Sequence, residues 1–356
     1  MSRLAPGAVI GMLGGGQLGR LMAIEAAKLG FRVHTYCPET NAPAAQVSSK
    51  TVFGAYDDAE KLKAFAAECD VISYEFENVP AACVDILEQA GQNVRPGRLA
   101  LEKSQDRLIE KTFLRACGIP TVEFAQVDSP EDLKSALNAF GGQGVLKRRR
   151  DGYDGKGQKV LRSEADLDGT EGLLDAPCIL EAFCPFELEV SVVLARTSAG
   201  ETRAFDPPHN EHEAGILRRC HLPAPISEET ARNAVAATKA LADALAYVGV
   251  LALEFFVLKD GHLIANEFAP RVHNSGHWTP EACMTGQFEQ HVRAIADWPL
   301  GPADRLFDVE MHNLLGEEVL ELPRTISGDA RFVAYGKSEP RPGRKMGHVT
   351  YRKLRN

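Results

Sequence analysis

Short apolar runs alternate with helix-period segments through the first hundred residues. Residues 8–10, 32–36 and 70–76 read as strands, and between the first two Leu18, Leu21, Met22 and Leu29 recur at helical spacing. That spacing predicts a helix over 17–29. Gly30 ends it, because a left-handed cap is easiest without a Cβ. Strand, helix, strand in this order predicts a parallel, Rossmann-like sheet.

A second helix is expected over 104–117, with Ile109, Phe113, Ala116 and Cys117 on one face and Gly118-Ile119-Pro120 as its stop. A boundary is placed just before it, near Arg98. From about 121 to 300 the rhythm changes to strands divided by glycine-rich or charged loops, clearest at 145–147, 178–180 and 188–194. A helix over 228–245, capped by Ser227 and with Glu228 and Glu229 in its first turn, leads into a hairpin. The expected division is therefore 1–98, 99–300 and 301–356, an α/β and α+β architecture of three domains.

The chain of 356 residues is long enough for this, and its apolar and charged fractions are those of a globular protein. A net charge of −9 argues against a dedicated nucleic-acid binder. The end is locally different: residues 337–356 carry seven basic side chains and one acidic one. The start lacks the pattern of a secretory signal and no run of eighteen apolar residues follows, so a soluble, cytoplasmic protein without membrane partners is expected. Eight scattered cysteines without a C-x-x-C pair read as reduced thiols.

Several segments carry chemistry. Gly14 to Gly19 follows a strand and opens a helix, an arrangement in which backbone amides can meet a phosphate; with Glu39 twenty residues after Gly19 it also admits a dinucleotide. Lys147-Arg148-Arg149-Arg150 ends a strand and runs into a flap containing Gly152, Gly155 and Gly157. Its spacing is not that of a Walker A loop, yet fixed cations beside mobile amides suit a nucleotide. Asp260-Gly261 between two strand-like runs predicts a two-residue hairpin. That register sets Lys259 against His262, Phe255 against Asn266 and Glu254 against Glu267. Two facing carboxylates repel unless something neutralises them, and hard oxygens near a nucleotide select Mg²⁺. His209-Asn210-Glu211-His212 reads as a polar contact near the nucleotide rather than a zinc site, and the polar run Arg271 to His277 as a substrate surface.

Together the lysine strand, the flap, the acidic hairpin and the trailing Arg resemble the ATP-grasp superfamily. Five segments narrow this: GGGQLGR from Gly14, YEFENV from Tyr74, KRRRDGYDGKGQ from Lys147, NEFAPRVHNSGHWT from Asn266 and RPGRKMGH from Arg341. In this order they resemble the N5-carboxyaminoimidazole ribonucleotide synthetase family. The resemblance implies a homodimer that uses ATP, Mg²⁺ and bicarbonate to carboxylate 5-aminoimidazole ribonucleotide by way of carboxyphosphate. By motif match, Arg107, Lys147, Gly152, Tyr153, Asp154, Gly155, Lys156, Gly157 and Gln158 would surround ATP. Backbone groups of Glu181, Ala182, Phe183 and Cys184 would meet the adenine and Glu189 the ribose, with His212, Asn266 and Glu267 completing the nucleotide site. Glu254 and Glu267 would hold the metal, and Ala269 stands where many relatives in the wider superfamily carry Asn, so no third protein ligand is expected.

For the ribonucleotide the resemblance implies Gly16, Gln17, Leu18 and Glu75, then Tyr153 and Asp154, then Arg271, His273, Asn274 and Ser275, and finally Lys337 and Arg344. Lys147 and Arg271 would act on the phosphoryl group and the bicarbonate, and Asp154 or His273 would orient the amine or take its proton. Competing readings are a formate-using ligase of the same fold, a nicotinamide dehydrogenase built on the first glycine loop, and an RNA-binding protein using the basic end.

Overall fold

A computed structural model describes residues 3–152 and 157–355. Among these residues three sheets form the frame. The first comprises β1 (Val9–Leu13), β2 (Arg32–Cys37), β3 (Lys50–Phe53) and β4 (Val71–Tyr74), ordered β3-β2-β1-β4 and parallel throughout. The helix Gln17–Lys28 crosses between β1 and β2, and Gly30 behind it takes φ +82°, as its place at the helix end predicts.

The second sheet is antiparallel and holds β5 (Phe124–Val127), β6 (Gly144–Arg148), β7 (Gln158–Leu161) and β8 (Cys178–Ala182), ordered β5-β8-β6-β7. The third is the largest. It contains β9 (Leu188–Arg196), β10 (Thr202–Ala204), β11 (His209–Glu213), β12 (Ile216–Leu222), β13 (Gly249–Val257) and β14 (Leu263–Ala269). The chain then adds β15 (Phe307–Leu315), β16 (Arg331–Ala334) and β17 (Lys345–Leu354) to the same sheet through β12, so residues after 301 extend the central layer.

The expected helix over 104–117 forms as Arg107–Ala116, and a separate helix, Arg98–Ser104, precedes it. Asp106 divides them, its carboxylate accepting from the Leu108 and Ile109 amides at 3.0 and 3.4 Å as an N-cap. The inward face also differs from the apolar reading: Glu110, Lys111 and Leu114 are buried while Ala116 is exposed. Charged groups point inward there because the helix borders a polar cavity. Ser227 caps Glu228–Ala244 as predicted, accepting from Thr230 N at 3.0 Å.

The helix Gln287–Ile295 locks the first sheet to the third. Phe288, Val292 and Ile295 share one core with Ile10, Met22, Val193 and Trp278. Within that core His291 accepts from the Val250 amide through Nδ1 (3.1 Å), which leaves Nε2–H to reach Ser73 Oγ on β4 (2.9 Å). The site is built over this seam.

Candidate active site

The reversal between β13 and β14 is wider than the sequence predicts. Leu258 N–H donates to the His262 carbonyl (2.9 Å) and Gly261 N–H to the Leu258 carbonyl (2.8 Å), so three residues form the turn and Gly261 takes φ +83°. Phe255 therefore pairs with Ala265, not with Asn266, and the expected Lys259–His262 pair does not form. The register shifts between Leu253 and Phe255, and beyond the shift Leu253 pairs with Phe268. Glu254 thus lies opposite both Asn266 and Glu267, a β-bulge. The extra residue in the bulge compensates the extra residue in the turn, and the two glutamates remain neighbours.

Both glutamates line a cavity that also receives Arg107, Gly152, Arg271 and His273. Arg107 Nη1 lies 2.6 Å from Glu267 Oε2, and His273 Nε2 lies 3.2 Å from Glu254 Oε1. Burial and the Glu267 charge push the Glu254 carboxyl up to about 7. Burial would also raise Glu267, yet Arg107, then Lys147 and Lys111, outweigh it and hold the group at about 2. A pair of hard oxygen donors whose second charge is unfavourable fits a divalent cation such as Mg²⁺. Glu189, His212 and Glu254 also bring ligand atoms within 4.8 Å of one another, so His212 stands beside Glu254. Ala269 lines the cavity without a donor.

Lys147 on β6 reaches Glu181 Oε2 on β8 at 2.9 Å. On the other side of that carboxylate Lys111, whose side chain is 1% exposed, lies 3.3 Å from Oε1 and donates to the Asn266 carbonyl at 2.9 Å. Burial opposes the Glu181 charge, but the two lysines hold its carboxyl below the usual range. The chain then passes Ala182, Phe183 and Cys184, which with Val122, Leu258 and Ile264 line a pocket of about 540 Å³. Glu189 on β9 lies 3.2 Å from His212 Nδ1 on β11. Burial alone would lower the His212 pKa, and the hydrogen bond and charge of Glu189 raise it instead. The neighbouring cations are already engaged: Arg149 makes a fork with Asp106 at 3.0 and 2.8 Å, and Arg148 donates to the Gly172 carbonyl at 2.7 Å. Gly152 offers its carbonyl to Arg107 at 3.2 Å and Gly157 accepts from the Arg148 amide at 2.8 Å, with Gln158 opening β7. Tyr153, Asp154, Gly155 and Lys156 lie outside the described residues.

The first glycine loop holds an anion, and the anion is internal. Glu75 accepts from the Gly16 amide and, at 2.8 Å, from the Gly19 amide. The amides expected to cradle a phosphate therefore hold a carboxylate, whose pKa burial raises while the amides and the nearby Arg271 and Lys337 oppose the rise. Gln17 and Leu18 begin the helix behind it, and Leu18 is buried. Glu77, two residues further on, is engaged elsewhere, pairing with Arg271 through Nε and, at 2.9 Å, through Nη2. Glu39, the residue a dinucleotide would need, is exposed in the loop after β2. Lys337 donates to the Lys345 carbonyl at 2.6 Å and Arg344 to the Glu339 carbonyl at 2.9 Å. Neither lines the cavity of Glu254 and Glu267.

Two residues of the polar run do not present their side chains as a substrate surface. Asn274 and Asn313 exchange amide hydrogen bonds at 2.9 and 2.8 Å, and Ser275 is wholly buried behind His273. Sequence periodicity also passes over Glu110 and Lys111. Glu110 lines the cavity and accepts from the Phe268 amide at 2.7 Å, and burial together with Glu267 pushes its carboxyl up to about 8. The available signal was a charged pair, Glu110-Lys111, inside an otherwise amphipathic helix.

Comparison with known proteins places three family models along the chain: a ribonucleotide synthetase preATP-grasp domain over 8–105, an ATP-grasp domain over 112–288, and a phosphoribosylaminoimidazole carboxylase C-terminal domain over 310–354. N5-carboxyaminoimidazole ribonucleotide synthase of Brucella melitensis biotype 1 is 51% identical over 354 residues, 98% of this chain and 97% of that protein. The crystal structure of an ADP complex of N5-carboxyaminoimidazole ribonucleotide synthetase matches with a TM-score of 0.96 at 42% identity, covering 99% of this chain and 94% of that one. The Aspergillus clavatus N5-carboxyaminoimidazole synthase, crystallised with ADP and 5-aminoimidazole ribonucleotide, matches with a TM-score of 0.91 at 28% identity over 98% and 94% of the two chains.

Proposed function

Because the chain belongs to the N5-carboxyaminoimidazole ribonucleotide synthase family of ATP-grasp enzymes, we propose that the cavity of Glu254, Glu267 and Arg271 is where bicarbonate is activated and passed to an amine. The chain carries out the ATP-dependent carboxylation of 5-aminoimidazole ribonucleotide to N5-carboxyaminoimidazole ribonucleotide in purine biosynthesis. The observation that carries the proposed location is convergence: Arg107, Gly152, Glu254, Glu267, Arg271 and His273, separated by up to 166 positions, line one cavity.

Bicarbonate carbon has no good leaving group. Transfer of the γ-phosphoryl group of ATP to a bicarbonate oxygen supplies one, giving ADP and carboxyphosphate. Lys147 and Arg107 bring positive charge to this end of the nucleotide, in a reaction governed by positioning and electrostatics. Mg²⁺ held by Glu254 and Glu267 would add charge neutralisation at the phosphates. Glu77 takes two of the N–H groups of Arg271 and the Val272 carbonyl a third, at 3.2 Å. Of the five donors of a guanidinium, two remain among the described residues, in the fixed plane that a carboxylate-like anion needs. The amine nitrogen then attacks the carbonyl carbon, the carbon–oxygen bond to phosphate breaks, and one amine proton leaves. Asp154 and His273 are the proposed groups for orienting the amine or receiving that proton.

The family models over 8–105, 112–288 and 310–354 support a division into units at 1–98, 99–300 and 301–356. A cytoplasmic homodimer is proposed on the family resemblance; among the described residues no helix is long and apolar enough to cross a membrane. Incubation with ATP, ¹⁸O-bicarbonate and 5-aminoimidazole ribonucleotide tests the chemistry: label should pass into inorganic phosphate, and unlabelled phosphate alongside product would eliminate the acyl-phosphate route.

A further inference from the structure

Behind His273 runs a chain of buried hydrogen bonds with a fixed direction. Asn210 on β11 donates through Nδ2 to Ser191 Oγ on β9 (2.9 Å), and Ser191 Oγ donates to Ser275 Oγ (2.7 Å). Ser275 Oγ lies 2.8 Å from His273 Nδ1. Since the Ser275 oxygen already accepts from Ser191, its own proton is free to point to the imidazole. The Ser275 backbone amide, which can only donate, also faces Nδ1 but at 3.3 Å, so the shorter contact of the Ser275 hydroxyl carries the direction. At the far end of the ring Nε2 faces the cavity, 3.2 Å from Glu254 Oε1. Asn210 is itself oriented, its Oδ1 accepting from the Cys220 thiol at 3.3 Å.

We infer that Asn210, Ser191 and Ser275 are a positioning relay that locks His273 in its Nε2–H tautomer, so that the ring meets the cavity as a hydrogen-bond donor and not as a base. A neutral imidazole carries one donor and one acceptor, and whichever nitrogen the relay feeds becomes the acceptor. Ser191, Ser275 and Asn210 are all buried, and a buried polar group keeps its partner because without it the group is left desolvated and unsatisfied. Three strand and loop segments thereby commit their polar groups to one proton position. The consequence for the reaction is that, of the two roles offered to His273 above, the ring keeps the orienting one and does not receive the amine proton. This rests on the cavity assignment above, but the tautomer itself does not.

The test is NMR of protein labelled with ¹⁵N only in histidine, with the His273 signals assigned by their loss in His273→Asn. Wild-type protein should show a protonated Nε2 and an unprotonated Nδ1 as a single form. A protonated Nδ1, or a mixture, overturns the inference whatever the variants do. Ser191→Ala should convert the single form to a mixture and lower kcat about tenfold, the size expected when a supporting hydrogen bond is lost, with KM for ATP within twofold. Ser191→Cys, which keeps a weaker donor, should fall between the two. A rate loss with the tautomer unchanged, or a tautomer change with the rate unchanged, rejects the relay. Loss of the wild-type ¹⁸O transfer with the tautomer intact would instead count against the proposed chemistry alone.

Discussion

Glu254 and Glu267 face each other across a bulge, one residue of β13 against two of β14, and the cavity treats them differently. Arg107 holds the Glu267 carboxyl down at about 2, while burial and the Glu267 charge push Glu254 up to about 7. Two buried carboxylates so placed make the second charge unfavourable, and a divalent cation is the proposed occupant that would relieve it.

Removing either charge should expose this. Glu267→Gln and Glu254→Gln are each expected to raise the Mg²⁺ concentration for half-maximal rate by at least about tenfold. Rates measured against MgCl₂ at fixed ATP decide it; an unchanged midpoint in both variants removes the acidic pair from the metal site.

Arg271 is held by Glu77 in a plane that lysine cannot reproduce. Arg271→Lys should lower kcat/KM for bicarbonate about 100-fold, comparable with loss of a group that stabilises developing charge. Glu77→Gln, which leaves the guanidinium but loosens it, should cost about tenfold. Initial rates against bicarbonate are the measurement, and equal losses in the two variants would mean that orientation is not what Glu77 provides.

Lys111 joins the Glu181 carboxylate to the Asn266 carbonyl from a fully buried position. Lys111→Met keeps the volume but leaves Glu181 with Lys147 alone, so unfolding free energy should fall by about 3 kcal/mol. Urea unfolding gives the value directly. A change under about 0.5 kcal/mol would show that Lys147 suffices for Glu181.

His291 supplies a pH signature remote from the acidic pair. Burial lowers its pKa from the ordinary 6.5 to about 4 in the folded protein. Between those values the unfolded chain binds a proton that the native one refuses, so stability is lost as pH falls through this window, by up to about 1.4 kcal/mol per pH unit for one group. His291→Gln should flatten the dependence of unfolding free energy on pH by that amount relative to wild type. Urea titrations from pH 7 down to pH 4 compare the slopes, and parallel slopes would contradict a neutral buried imidazole.

The sequence by itself determined the local elements and the chemistry class. Apolar spacing marked the helix before Gly30, Ser227 marked a helix start, and the segments from Gly14 to His348 carried the family, because caps, periodicity and short motifs are properties of neighbouring residues. It also brought Glu254 to Glu267, although through a turn that does not form: the three-residue reversal and the bulge depend on how β14 packs against its neighbours. What only the tertiary structure decided was partnership at long range. Which anion fills the Gly16 loop, which glutamate holds Arg271, and which charged face of Arg107–Ala116 turns inward all depend on segments brought together from distant positions. A buried charge must be met by whatever group the fold delivers to it, and no one-dimensional pattern records that delivery.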